Sequence, residues 1–125
     1  MDTTIRLNPP SDHQIESAQA QLGFRFPDDY IDFIKSGYDM GESILEALEI
    51  GDCAPYLNIF LVNEESRNYY DLSVDLLPIV EDNSDYHCLN TKGEIVFWSH
   101  NGSTDEKWPS FTNWRLQMIK EACEN

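Results

Sequence analysis

The sequence predicts an α+β fold: an N-terminal helix pair, a central, mostly antiparallel sheet, and a C-terminal helix packed on the sheet. Three observations carry this. Two segments with helix start and stop signals open the chain, three short β-rich runs separated by turn residues occupy its last third, and a capped amphipathic segment follows them. Strands and helices that come in separate runs settle into separate layers rather than βαβ units.

The first helix is written in "PPSDHQIESAQAQLG". Ser11 suits the N-cap, Gln14 stands three residues on as the capping-box partner, Ile15, Ala18 and Leu22 share one face, and Gly23 ends it. "FRFP" is an extended connector, because the residue before a proline avoids helical backbone angles. Pro27 opens the second helix, "PDDYIDFIKS", with Asp28 and Asp29 at its positive end and Lys35 at its negative end. Adjacent carboxylates on a helix point about 100° apart, so Asp28 and Asp29 read as helix-charge stabilisers and not as an acid/base couple. Tyr30, Phe33 and Ile34 form the face to be buried.

The middle is less regular. In "GYDMGESILEALEIGD" the alternation of Ile44, Glu46, Leu48 and Ile50 suits a strand, while Leu45, Ala47 and Leu48 would also suit a short helix. "PYLNIFLVNEESRNYYDL" fits a helix by length, although Ile59 to Val62 alone would pass for a buried strand. Farther on, "LLPIVE", "DYHCLN" and "GEIVFWSH" read as an antiparallel meander. "NGSTDEKWP" reads as a polar loop. The last helix starts at Ser110 and stacks Phe111, Trp114, Met118 and Ala122 along one side.

The densest chemistry lies in "EDNSDYHCLN". An EF-hand loop beginning at Asp82 would need glycine at its sixth position and glutamate at its twelfth, where His87 and Gly93 stand. His87 and Cys88 are neighbours on a strand and point to opposite faces, which does not suit zinc. No GxSxG, HExxH or P-loop pattern is present, and a Cys88 or Cys53 nucleophile served by His100 has no sequence motif behind it. The stretch reads as a hairpin: Asn83, Ser84 and Asp85 turn, Tyr86 and Cys88 face one side, and His87 and Leu89 the other. No catalytic residue, metal ligand or cofactor is expected.

One domain is expected from the length of 125 residues. The three cysteines, Cys53, Cys88 and Cys123, make no disulfide framework, and no segment resembles an export signal or a membrane span, so a cytoplasmic location is expected. The net charge is −15, from 23 acids against eight Lys and Arg. Between Ser36 and Thr91 twelve acids face a single base, Arg67. Such a field repels phosphate backbones, which argues against direct nucleic-acid or anionic-membrane binding, and it favours either plain solubility or a basic protein partner.

Two blocks together resemble the SUKH superfamily, bacterial toxin-immunity proteins related to a fungal cell-wall-synthesis regulator. In "IESAQAQLGFRFPDDYIDFIKSG" the matching residues are Ile15, Glu16, Leu22, Gly23, Pro27, Asp28, Tyr30, Phe33, Ile34 and Gly37. In "LLPIVEDNSDYHCLNTKGEIVFWSH" they are Leu77, Pro78, Ile79, Tyr86 to Leu89, Gly93 and Val96 to Trp98. Ser110 and Phe111 also suit the family; residues 38–75 are not recognisable. The resemblance implies a single SUKH-like domain over residues 1–125 and a non-enzymatic immunity protein that neutralises a cognate toxin domain, a basic nuclease by the charge argument. Composition places the contact in the base-poor middle: Asp39, Glu42, Glu46, Glu49 and Asp52, with Tyr38 and Tyr56 as aromatic anchors. Trp108 is a further exposed-anchor candidate. The alternative is a regulatory or small-ligand domain with an apolar pocket lined by Tyr86 and Trp98. The toxin's identity and the oligomeric state stay open.

Overall fold

A computed structural model describes residues 9–51, 53–102 and 105–124. The order of elements is α1 (Asp12–Leu22), α2 (Asp28–Lys35), β1 (Glu46–Ala47), a 3-10 turn (Pro55–Leu57), α3 (Ile59–Tyr69), β2 (Leu76–Asp82), β3 (Asp85–Asn90), β4 (Ile95–Trp98), β5 (Lys107–Trp108) and α4 (Phe111–Cys123). The five strands form one antiparallel sheet in the order β1-β2-β3-β4-β5. The α+β class with helices at both ends is the one the sequence predicts.

Local chemistry explains the ends. The Ser11 hydroxyl accepts from the Gln14 N–H and the Gln14 side chain accepts from the Ser11 N–H, a complete capping box, and Gly23 closes α1 at φ 64°. Pro27 caps α2, with Asp28 and Asp29 in its first turn. Asn58 caps α3, its side-chain Oδ1 accepting from the N–H groups of Phe60 and Leu61. Of the two readings left open for the middle, the segment after Pro55 is helical. The stretch before it keeps only the two-residue β1, in which Glu46 pairs with Glu81 and Ala47 with Val80. The segment expected as a polar loop contributes β5.

The meander is pinned by its turns. Asn83 and Ser84 adopt φ 52° and 74° between β2 and β3, the paired left-handed conformation whose twist suits a two-residue hairpin. Pro78 stands beside a bulge between Pro78 and Val80, where a missing N–H costs the ladder least. Alternation then sends Tyr86 and Cys88 to the face covered by α3, and His87 and Leu89 to the face covered by α4.

The core is aromatic where α2 meets α4. The Tyr30 and Phe33 rings lie 5.3 and 4.8 Å from that of Phe111, and Trp114 is fully buried beneath them. Two polar ties hold α4, one to α2 and one to the loop after it. The Asp29 carboxylate accepts from the N–H and hydroxyl of Thr112, both at 3.0 Å, so it caps α4 as well as lying in the first turn of α2. Arg115 Nε donates to the Asp39 carbonyl at 2.7 Å, with its guanidinium 3.7 Å from the Asp39 carboxylate. Replacing Asp29 by alanine is expected to destabilise the fold by about 1 kcal/mol, the usual cost of a lost helix cap. The midpoint of urea denaturation measures this, and Asp29→Asn should recover part of it.

Candidate functional site

The loop after α2, the end of β2, the middle of β3 and β4, β5, and the last turns of α4 converge on one concave feature. It is a groove of about 540 Å³ on the α4 side of the sheet. Ile44, Leu45, Phe97, Trp108, Met118 and Ala122 form its apolar lining, and Glu42, Asp82, Glu106 and Glu121 are its charged residues. Met118, Glu121 and Ala122 face it together because positions three and four apart share one side of a helix. The loop is held close: a Cβ on Gly41, whose φ is 60°, would stand 3.3 Å from the Ile119 side chain. Gly41 therefore supplies both a left-handed turn and the close approach to α4. Trp108 is half-buried on β5, its indole N–H donating to Gln117 at 2.9 Å.

His87 forms the floor. Its ring packs between those of Phe97, Trp108 and Trp114, at 4.8 to 5.9 Å. The Trp114 indole N–H donates to His87 Nδ1 at 3.0 Å. Indole can only donate, so Nδ1 must be the bare nitrogen and the neutral ring carries its proton on Nε2. Nε2 lies 3.5 Å from the Asp82 carboxylate, without an aligned hydrogen bond. Burial lowers the pKa of His87, outweighing the opposite pull of Asp82 and Asp85. The consequence for stability has a definite sign. Above the unfolded value of about 6.5 both states are neutral and the contribution is fully present. As pH falls below it the unfolded chain takes up the proton first, and stability is lost until the folded ring also protonates. Urea midpoints measured downward from pH 7 should show this loss, with a slope of at most about 1.4 kcal/mol per pH unit from this group. In His87→Asn the same comparison should lack that component.

The sequence candidates are dispersed. Tyr38 is 3% exposed, and its hydroxyl accepts from the Ile50 N–H. Glu49 is 7% exposed and sits in the bridge to Asn58. Both face inward and are not available as surface anchors. Their neighbours carry the chain into the core, with φ 61° at Tyr38 and backbone bonds from Glu49 to Leu57 and Ile59. Asp39 is tied to Arg115. Glu42 lines the groove. Glu46 and Tyr56 lie away from it at the β1 edge, where the Tyr56 hydroxyl, 55% exposed as a residue, donates to Glu46. That bond raises the Tyr56 pKa. Asp52 lies outside the described residues. Tyr86 and Trp98 stack on the opposite face of the sheet, so the concave feature is not the pocket they were expected to line.

Asp82, His87, Glu106, Met118 and Glu121 were not among the expected contacts. The signal for His87 lay in the strand alternation, which put a polar ring on the same face as Leu89, where it must find a partner. Cys88 is fully buried, and burial pushes its thiol pKa up to about 12, so it is held protonated and is a poor nucleophile. Among the described residues no group of three His, Cys, Asp or Glu is placed to hold a metal ion, and no helix is long and apolar enough to cross a membrane.

No curated protein matches the sequence. A crystal structure of a protein from Pseudomonas syringae pv. tomato shares the fold, with a TM-score of 0.74 and 24% identity, covering 91% of this chain and 85% of that one. The SUKH family model described as SMI1-KNR4 cell-wall matches residues 1–120. With that span of sequence and this arrangement of helices and sheet, the chain belongs to the SUKH (SMI1-KNR4 cell-wall) family.

Proposed function

We propose that the chain is an immunity protein that binds and neutralises a cognate, basic, nuclease-type toxin domain through an acidic surface, without chemistry of its own. The observation that carries this reading is the composition of the groove: exposed and half-buried apolar side chains with four carboxylates and no Lys or Arg among its lining residues. Ile44, 93% exposed at its edge, is an apolar contact left to solvent in the free chain. A protein that grips nucleic acid must present a basic cleft, and an acid-lined surface complements it in sign. The net charge of −15 extends the attraction beyond the groove. Asp39, Glu46 and Tyr56 are additional contacts in this reading, on the same side of the chain's charge balance although outside the groove.

The test is capture by the tagged protein, at low and high salt, from an extract expressing polymorphic-toxin C-terminal domains. One basic partner, released as ionic strength rises, is the expected result. Absence of any partner from an extract shown to contain the toxins would overturn the reading. A regulatory, small-ligand-binding domain is the second reading, favoured by the concavity itself, whose volume of about 540 Å³ suits a small molecule. It predicts binding that does not depend on the acidic rim.

A further inference from the structure

Among the described residues lining the groove, His87 is a buried polar side chain whose Nε2 lacks an aligned hydrogen-bond partner. The Asp82 carboxylate lies beside that nitrogen and has to turn toward the rim for an incoming acceptor to reach it. His87 is 5% exposed. Its Nδ1 is committed to Trp114, so Nε2–H is a donor, and Asp82 at 3.5 Å is beyond the range of about 2.7–3.2 Å for an N–H···O bond. A buried donor left without an acceptor is costly, and an incoming acceptor recovers that cost. The rim asks for the opposite chemistry. Four carboxylates with no lining base exclude an anion, so the acceptor must be neutral and must belong to a molecule that is also cationic. A main-chain carbonyl flanked by a Lys or Arg side chain meets both demands, and the alkyl stem of such a side chain suits Trp108, Phe97 and Met118.

We propose that the groove takes an extended, basic peptide segment of a partner protein, a main-chain carbonyl accepting from His87 Nε2–H while a Lys or Arg side chain lies among Glu42, Asp82, Glu106 and Glu121. This rests on the reading of the chain as a binder of a basic protein and adds the chemistry of the contact. Hydrogen-bonding to the main chain lets the floor accept any residue at that position, leaving discrimination to the charged rim and apolar walls. His87 is thus a positioning residue for the segment as well as a link between β3 and α4.

Asparagine separates the two roles, because its amide oxygen falls where Nδ1 stands and can still accept from Trp114, while it has nothing at the Nε2 position. The experiment is an NMR titration of the folded chain with acetyl-Leu-Arg-Leu methylamide, following the His87 ring nitrogens and the Trp108 and Trp114 indole N–H signals. Spermidine, a cation without a carbonyl, and the same peptide with Glu for Arg are the comparison probes. Saturable shifts of His87 Nε2 and Trp108 by the arginine peptide are expected, with much weaker responses to either comparison probe. Affinity should fall about fivefold in His87→Asn, with the Trp114 indole signal kept at its bonded position. The Glu106→Gln, Glu121→Gln double variant, altered only at exposed positions, tests the cationic half should His87→Asn fail to fold, and a loss of about tenfold is expected there. No saturable shift with the peptide, equal binding of spermidine, or unchanged affinity in either variant would overturn the inference. Toxin capture is measured separately, so a partner that binds elsewhere would leave the wider reading intact while this one fails.

Discussion

Trp114→Ala is expected to cost most of the stability of the fold. Its side chain is fully buried at the centre of the α4 contact, and removing a buried tryptophan costs about 3–5 kcal/mol through lost burial and the cavity left behind. The same change strips His87 Nδ1 of its donor, adding about 1–3 kcal/mol if the nitrogen stays buried. Set against the 5–15 kcal/mol or so by which domains are usually stable, the sum approaches global unfolding. Trp114→Phe keeps most of the apolar contact while losing the N–H and part of the ring volume. It should fall between wild type and Trp114→Ala. Trp108→Ala, at a half-buried position on the edge strand, should cost less than either. Urea denaturation followed by far-UV circular dichroism compares all four proteins without relying on tryptophan fluorescence. A Trp114→Ala chain within about 1 kcal/mol of wild type would show that α4 is not held through this junction.

The second large effect concerns binding and leaves the fold untouched. In the triple variant Glu42→Lys, Glu106→Lys, Glu121→Lys, the affinity for the captured basic partner should fall about a hundredfold, or about 2.8 kcal/mol. All three side chains are exposed at the groove, so reversal exchanges attraction for repulsion without burying a charge. Much of the loss should appear as slower association, and the remaining affinity should fall less steeply with salt than that of the wild type. A matched reversal to Lys of Glu64, Glu65 and Asp75, exposed on or just after α3 and outside the groove lining, changes the net charge equally and should have a much smaller effect. Equal losses in the two variants would mean that total charge, not the groove, governs the complex.

Most of the fold was legible because its signals are local. The capping box at Ser11, the glycine at position 23 and the Ser110 cap each act within a few residues and appear where the sequence puts them, as does the turn at Asn83 and Ser84, although Asp85, expected in that turn, begins β3. β1 and β5 were hard to read for the opposite reason. Two-residue strands have no period of their own and exist only because β2 and β4 offer them a partner. The acid-rich middle supplied the sign of the surface but not its shape. Tyr38, before β1, and Glu49, just after it, were chosen for type and turn inward because the chain runs along the core at both places. Glu42 does reach the groove, yet its fellow carboxylates come from β2, the approach to β5 and the end of α4. Only tertiary packing brings those segments together, and no spacing in the sequence announces it.

The groove is in immunological terms a discontinuous epitope, drawn from a loop, four strands or their approaches, and a helix face. Overlapping peptides copied from this chain would each carry a fragment of one wall and none would carry the floor. A peptide array is therefore expected to stay silent toward a partner that the folded protein captures, and no short piece of the chain would serve as a decoy. Antibodies that block the partner should recognise the native protein and fail on a denaturing blot.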